Sequence, residues 1–477
     1  IPTGYVGYVG RITYAFRQKY MVDVNAGYNG SENFAPDRRY GFFPAGSVGW
    51  IVSSEKFMRR QKVIDFLKLR ASYGLVGNDK YAGDRFLYIG GWNGNHAAVT
   101  DGSGGSWQFG VDNTSGMLND AVENRQGNEE VTWEKAAKQN YGIDMKMFNY
   151  RLSLTADYFF EHRWDILSTR NTAPSITDFT LPLMNLGVVN NHGYEVSLGW
   201  TDTQNRKVGY WITANVSYSK NKIIYMDEVV PNEPYMAQTG RSTGLNYALE
   251  FDRFYDYSDF DAEGNLLADE DGKPLLPVQN GSPKPGDPLF KDKNNDGKID
   301  GNDYTYVGYS SRPEYVFGLV AGIKWKGLEI SMQWTGATHA SRMLSGEYRT
   351  PFGTQNSRTL LKYLADGRWH AGNTENARFP RLTFTNKTLY TTPSTMWLMD
   401  ASYLRLKTAE ISYTFSDNAA LKKAGISSAR IYLNGYNLLT LFSELAEFDI
   451  DPEGYTGDGA YTYPNNRIFN FGINLTF

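Results

Sequence analysis

The chain has 477 residues, 15% aromatic and 21% charged, with a formal net charge of −4 and no cysteine. That excludes a disulfide framework, a thiolate-held metal and a thiol nucleophile, and it leaves nucleic acid no polycationic surface to bind. No run of about 18 apolar residues occurs, so no helix can span a bilayer, and a closed β-barrel is the remaining way across. The first residues, Ile1-Pro2-Thr3-Gly4-Tyr5, show no leader pattern and read as strand already, as in a piece of a longer polypeptide. From there, period-two alternation predicts strands over 5–16, 20–28, 43–53, 64–77, 138–148, 150–161, 192–201 and 208–219. It continues over 315–325, 328–334, 400–415, 429–438 and the last twelve residues, thirteen runs in all. In one of them Tyr315, Phe317, Leu319, Ala321, Ile323 and Trp325 alternate with Val316, Gly318, Val320, Gly322 and Lys324. In the last, Phe469, Phe471, Ile473, Leu475 and Phe477 share a face.

The connections alternate between short and long. Short ones fall near 17–19, 54–63, 149, 202–207, 326–327 and 416–428. Long ones fall near 29–42, 78–137, 162–191, 220–314, 335–399 and 439–465. A sandwich or propeller has no reason to keep that parity; an outer-membrane barrel, with short turns on one side and long loops on the other, does. Tyr14, Tyr20, Tyr28, Trp200, Tyr210, Trp211, Trp325 and Trp334 sit near strand ends, where a headgroup girdle places amphipathic rings. The expected fold is therefore all-β, an antiparallel transmembrane barrel wall. A large soluble β-protein is the alternative.

Several segments resemble the SusC-like TonB-dependent outer-membrane transporters. They are Phe42 to Trp50, Leu67 to Gly74 followed by Gly77-Asn78, Asn191-His192-Gly193-Tyr194-Glu195, Phe290 to Asp303, Tyr403 to Lys407, Asn434 to Leu438, and the aromatic end Phe477. The resemblance implies a barrel of about 22 strands around a plug. This chain (1–477) would supply about thirteen of the strands, the C-terminal part, with plug and N-terminal strands absent from it. It further implies TonB-dependent active import of a nutrient oligomer, oligosaccharide or peptide, with a SusD-like lipoprotein as lid. TonB would act through the missing plug segment, and the N-terminal half would close the wall in outer-membrane lipid.

Within 220–314, the stretch Asp292-Lys293-Asn294-Asn295-Asp296-Gly297-Lys298-Ile299-Asp300-Gly301-Asn302-Asp303 has calcium-loop spacing. Asp292, Asn294, Asp296, Asp300 and Asp303 offer side-chain oxygens, Lys298 a carbonyl, and Gly297 the sharp turn. Asp303 stands where an EF-hand has Glu, and the flanks are not amphipathic helices, so the expectation is structural Ca²⁺. The alternative there is an acidic turn that hydrogen-bonds itself. The five histidines show no metal-ligand spacing, and no nucleophile elbow or phosphate loop occurs, so no enzyme is expected. Loop aromatics and polar groups that suit sugar rings or peptides include Trp92, Trp107, Tyr247, Arg253, Trp369, Tyr461 and Tyr463. The rival function is a soluble or surface-anchored, calcium-stabilised glycan-binding β-protein.

Overall fold

The computed structural model describes residues 4–81, 85–93, 122–172, 181–203, 207–353, 357–385, 387–416, 419–454, 463 and 465–477. Thirteen long strands form one antiparallel sheet in which each strand pairs with its neighbours in the chain. They are β1 (Tyr5–Phe16), β2 (Tyr20–Ser31), β3 (Tyr40–Ile51), β4 (Ile64–Asn78), β5 (Glu134–Met147), β6 (Leu152–Thr169) and β7 (Leu183–Asp202). Then come β8 (Val208–Tyr225), β9 (Tyr315–Trp325), β10 (Leu328–Thr338), β11 (Tyr403–Ser416), β12 (Ser428–Leu441) and β13 (Ile468–Thr476). Every expected strand is present.

Register explains why the alternation matters. Residues directly opposite in an antiparallel pair share a face. Tyr210, Ile323, Ile330, Ile411, Leu433 and Phe471 stand opposite one another in turn across β8 to β13. They are from 40% (Tyr210) to 70% (Phe471) exposed, so this apolar row faces outward. One position along, Gly322, Ser331, Glu410, Asn434 and Asn470 form the matching row on the other face. A sheet of this length with apolar side chains out and polar ones in has its greasy face toward lipid. That apolar belt overturns the soluble glycan-binding alternative, because water would meet the whole of it. Five tyrosines, Tyr141, Tyr158, Tyr194, Tyr218 and Tyr315, stand opposite in turn across β5 to β9. At the short-turn end Phe16 stacks on Tyr20 at 6.5 Å and Tyr20 on Trp50 at 6.4 Å.

The long-loop ends of several strands run further than the alternation predicts. β6 continues to Thr169, β7 starts at Leu183 and β8 reaches Tyr225, so the connection carrying the acidic loop is 226–314. There Leu167 and Leu183 are buried with Phe34, Phe43, Leu87, Val131 and Trp133. Burial is thus concentrated in the connections. One cluster joins Leu344, Leu364, Phe379, Trp397, Leu445 and Phe448; another joins Leu249, Tyr255, Leu289, Phe290, Leu389 and Tyr390. The long connections form a crown with its own cores above a wall whose apolar side chains stay outside.

Candidate functional site

Two surfaces could meet a transported molecule: the inner face of the wall and the crown. The inner face carries charge, much of it in ion-paired sets. Arg70 on β4 donates to Asp144 on β5 (Nε, 3.0 Å) and to both carboxylate oxygens of Asp157 on β6 (2.7 and 2.6 Å). It crosses β5 at Gly142, directly opposite, where a Cβ would come within 2.5 Å of its Cζ. Arg163 bridges Glu134 (2.6 Å) and Glu161 (2.8 Å), and Arg430 pairs with Glu410. Bulky groups likewise lie over glycines directly opposite: Phe159 over Gly193 and Trp211 over Gly322. Between these sets lie concavities of about 490 Å³ (Asn25, Ser47, Ser72, Lys138, Asn140, Asn191) and about 580 Å³ (Thr155, Glu195, Ser197, Thr213, Asn215, Ser217). Amides, hydroxyls and paired charges suit a neutral or zwitterionic chain rich in hydrogen-bonding groups.

The crown uses several of the expected binding residues for its own construction. Arg253 forks onto Asp259 (2.6 and 2.9 Å). Burial pushes the Asp259 carboxyl up, but the Arg253 bonds and the Asp256 N–H outweigh it and hold it below the usual range. Trp369 is only 4% exposed, lies over Gly286 and meets Tyr257 at 5.2 Å. Tyr247 is half-exposed between Tyr304 (5.4 Å) and Tyr306 (4.9 Å), and Tyr463 is 80% exposed. Trp92 is on the short strand Gly91–Asn93, paired with Val122–Arg125. Its side chain, Trp107 and Tyr461 lie outside the described residues. A crown cavity of about 730 Å³ is lined by Tyr348, Tyr363, Phe379 and Phe448, with Arg358 and Arg378 at its side.

The sequence reading missed the anchors of the crown. Arg405 on β11, 4% exposed, donates to Asp451 and Glu453 (both 2.8 Å), while Lys407 reaches Glu453 at 2.5 Å. Buried Asp287 receives Arg381 at 2.7 Å and the Tyr390 hydroxyl at 3.2 Å. Burial pushes the Tyr390 and Tyr255 phenols up, so both stay protonated, and Tyr390 donates to Asp287 and to the Arg381 carbonyl. The only sequence signal was a cation at an inward position of a strand; its acidic partners are distant in the chain.

The acidic loop is folded on itself. Asp292 accepts from the N–H groups of Asp296 (3.2 Å) and Gly297 (2.8 Å), and Asp296 from that of Lys298 (2.8 Å). Asp303, 1% exposed, accepts from the N–H groups of Lys293 (2.7 Å) and Asp300 (2.8 Å). Asp300 accepts from the Asn302 N–H (2.8 Å), and Gly297 takes φ +85° for the turn. Among the described residues no three His, Asp or Glu side chains gather closely enough to form a metal cluster.

No protein-family model matches the chain. It is similar to TonB-dependent receptors of Formosa agariphila, one 28% identical over 98% of the chain and 46% of the relative, another 25% identical over 100% and 46%. SusC of Bacteroides thetaiotaomicron, a TonB-dependent receptor, is 23% identical over 99% of the chain and 44% of its own length. Among solved structures, the RagAB peptide transporter superposes with a TM-score of 0.74 at 22% identity, over 99% of this chain and 47% of that one. The chain spans about half the length of the curated relatives it matches. The SusC-type resemblance thus runs the length of the chain, and the fold is that of an outer-membrane barrel wall. The relatives are named as receptors and transporters, not as enzymes.

Proposed function

We propose that the chain is the wall and outer crown of a TonB-dependent importer that carries a nutrient oligomer, an oligosaccharide in the first reading, across the bacterial outer membrane. The observation that carries this reading is the two-faced sheet, apolar outside and lined inside by amides, hydroxyls and ion-paired charge, crowned by separately packed loops. The remaining strands and a plug come from protein outside this chain, TonB acts on that plug, and a SusD-like lipoprotein covers the crown. These residues perform no chemistry; they recognise and conduct. Tyr247 and Tyr463, which keep exposed rings, are the proposed crown contacts, and Trp92, Trp107 and Tyr461 are proposed with them. A second reading, peptide import, is favoured by the RagAB transporter being described as one for peptides. Purifying the whole transporter from its own cells and identifying co-eluting ligand by mass spectrometry tests both. Bound glycan supports the first reading and bound peptide the second. Uptake of the identified ligand that is unchanged without TonB overturns the import mechanism.

We also propose that the loop 292–303 takes a structural Ca²⁺, with Asp292, Asn294, Asp296, Asp300 and Asp303 as side-chain ligands and the Lys298 carbonyl as the sixth. What supports it is the ligand spacing together with a left-handed Gly297 and a buried Asp303 already closing the loop. Carboxylates spent on backbone N–H groups keep further lone pairs, and ion binding would draw together acidic groups that stand apart in the self-bonded loop. Calcium should raise the protease resistance of 226–314, and Asp296→Asn with Asp300→Asn should abolish that gain. Equal cleavage with calcium and with chelator would leave the self-bonded turn as the whole account.

A further inference from the structure

Residues 52–63 join β3 to β4 at the short-turn end, beside rings on the lipid-facing side of the wall. Glu55 fixes them there. Its carboxylate accepts from the Tyr20 hydroxyl (2.8 Å), the Trp50 indole N–H (3.3 Å) and Lys19 (3.1 Å). Tyr20 and Trp50 are the stacked rings at the foot of β2 and β3, on the same face as Val22 and Val48. Pinned beside them, the one-turn 3-10 helix Lys56–Arg60 presents Phe57, 66% exposed, between Lys56 and the pair Arg59 and Arg60, with Lys62 close behind. These four cations are exposed and form no ion pair among the described residues, and the neighbouring acid, Glu55, is already committed. The next short turn continues the rim. The Phe148 N–H donates to the Val63 carbonyl (2.9 Å), Phe148 meets Trp200 at 6.1 Å, and Lys146 lies 5.7 Å over the Tyr150 ring.

We propose that this turn is a binding site for anionic phospholipid headgroups in the leaflet at the short-turn end. Arg59 and Arg60 offer forked donors to phosphate oxygens, Lys56 and Lys62 add point charge, and Phe57 enters the acyl layer beside Tyr20 and Trp50. Continuity with the outward apolar belt decides for lipid over an acidic protein. A protein partner would be met by the cations but would leave unexplained an exposed phenylalanine two residues from the pinned Glu55. The inference rests on the wall standing in a bilayer, not on what is imported.

The test uses the whole transporter in nanodiscs of phosphatidylcholine, with and without phosphatidylglycerol. Each cation near an anionic surface raises lipid affinity about five-fold at low salt. The wild type should therefore retain phosphatidylglycerol in native mass spectrometry and melt higher in the anionic discs, with the gain shrinking in high salt. The quadruple variant K56Q/R59Q/R60Q/K62Q should lose that gain and match the wild type in phosphatidylcholine alone, which shows that it is folded. Phe57→Ser should weaken retention without removing its salt dependence. Equal lipid retention by wild type and quadruple variant overturns the proposal, as does a wild type indifferent to lipid charge, the result expected if the rim serves an acidic protein.

Discussion

At the scale of single residues, glycines opposite bulky side chains decide how the wall closes up. A Cβ at Gly193 would lie 2.0 Å from the Tyr218 carbonyl oxygen and 2.5 Å from the Phe159 ring. One at Gly142 would first meet the guanidinium end of Arg70. Backbone cannot step aside cheaply, whereas a guanidinium can. Gly193→Ala should therefore cost on the order of 2–4 kcal/mol in urea unfolding, and Gly142→Ala about 1 kcal/mol or less. The reverse order would show that side-chain ion pairs outweigh strand contact here. Arg405 makes a different kind of tie. Burial pushes the Asp451 carboxyl up, but the Arg405 hydrogen bond and the N–H groups of Glu453 and Asn465 outweigh it, leaving its pKa below the usual range. A depressed carboxylate stabilises the folded arrangement above its ordinary pKa of about 4 and loses that effect as pH falls through the depressed value. The exchange protection factors of residues 442–454, each taken against the intrinsic rate at that pH, should be high at neutral pH and fall only below about pH 4. Arg405→Gln should lower them at both. Protection that ignores both acid and the substitution would mean the segment is held by Leu445, Phe448 and Ile450 alone.

At the scale of elements, the wall was legible and the crown was not, for one physical reason. Where a strand has lipid on one side and water on the other, the two solvents write a period of two into the sequence. Beyond the lipid that contrast ends: Leu183 shares the inner face with Asn191 and Glu195 by register, yet it is apolar and buried with Leu167, Trp133 and Phe34. Alternation stops there although the ladder continues from Thr169 to Leu183. The crown posed the opposite problem. Trp369 and Arg253 have the composition of a sugar-binding surface, yet the same residue types build loop cores, and local pattern does not separate the two uses. Arg405 finds Asp451 and Glu453 through the fold, which no spacing rule reports. If the crown packs as its own unit, damage to its core should spare the wall. Trp397, fully buried between Phe379 and Met399, is the place to test this. Trp397→Ala should cost about 3–5 kcal/mol of local stability, read as faster proteolysis within 339–402. The heat-modifiable gel shift of the assembled barrel should remain. Loss of that shift would mean that crown and wall fold as one cooperative unit.

At the scale of the whole molecule, the sheet has two free margins. β1 pairs only with β2 and β13 only with β12 among the described residues, and every residue of β1 is exposed, Val9 at 81%. In hydrocarbon each unpaired backbone group costs several kcal/mol, so neither margin can stand open against lipid. Direction then restricts what can fill the gap. Successive strands alternate, so the first and the thirteenth run the same way. A second copy set margin to margin would create parallel seams, whereas an antiparallel circle requires an odd number of additional strands. The about nine strands that a 22-strand barrel would add satisfy this; thirteen is odd as well, but a second copy inserted the same way round runs in the wrong direction at each join. Because the chain has no cysteine, the seam can be mapped directly. Val9→Cys should form a disulfide with a cysteine placed on an edge strand of the segment that completes the barrel. Val9→Cys paired with Phe471→Cys should not link two copies of this chain. Expressed without the remainder, the chain should fail to give a heat-modifiable band in detergent and should recover one on co-expression. A stable band from the chain alone, or copy-to-copy disulfides through β1 and β13, would show that the sheet closes by a route other than shared membership in one larger barrel.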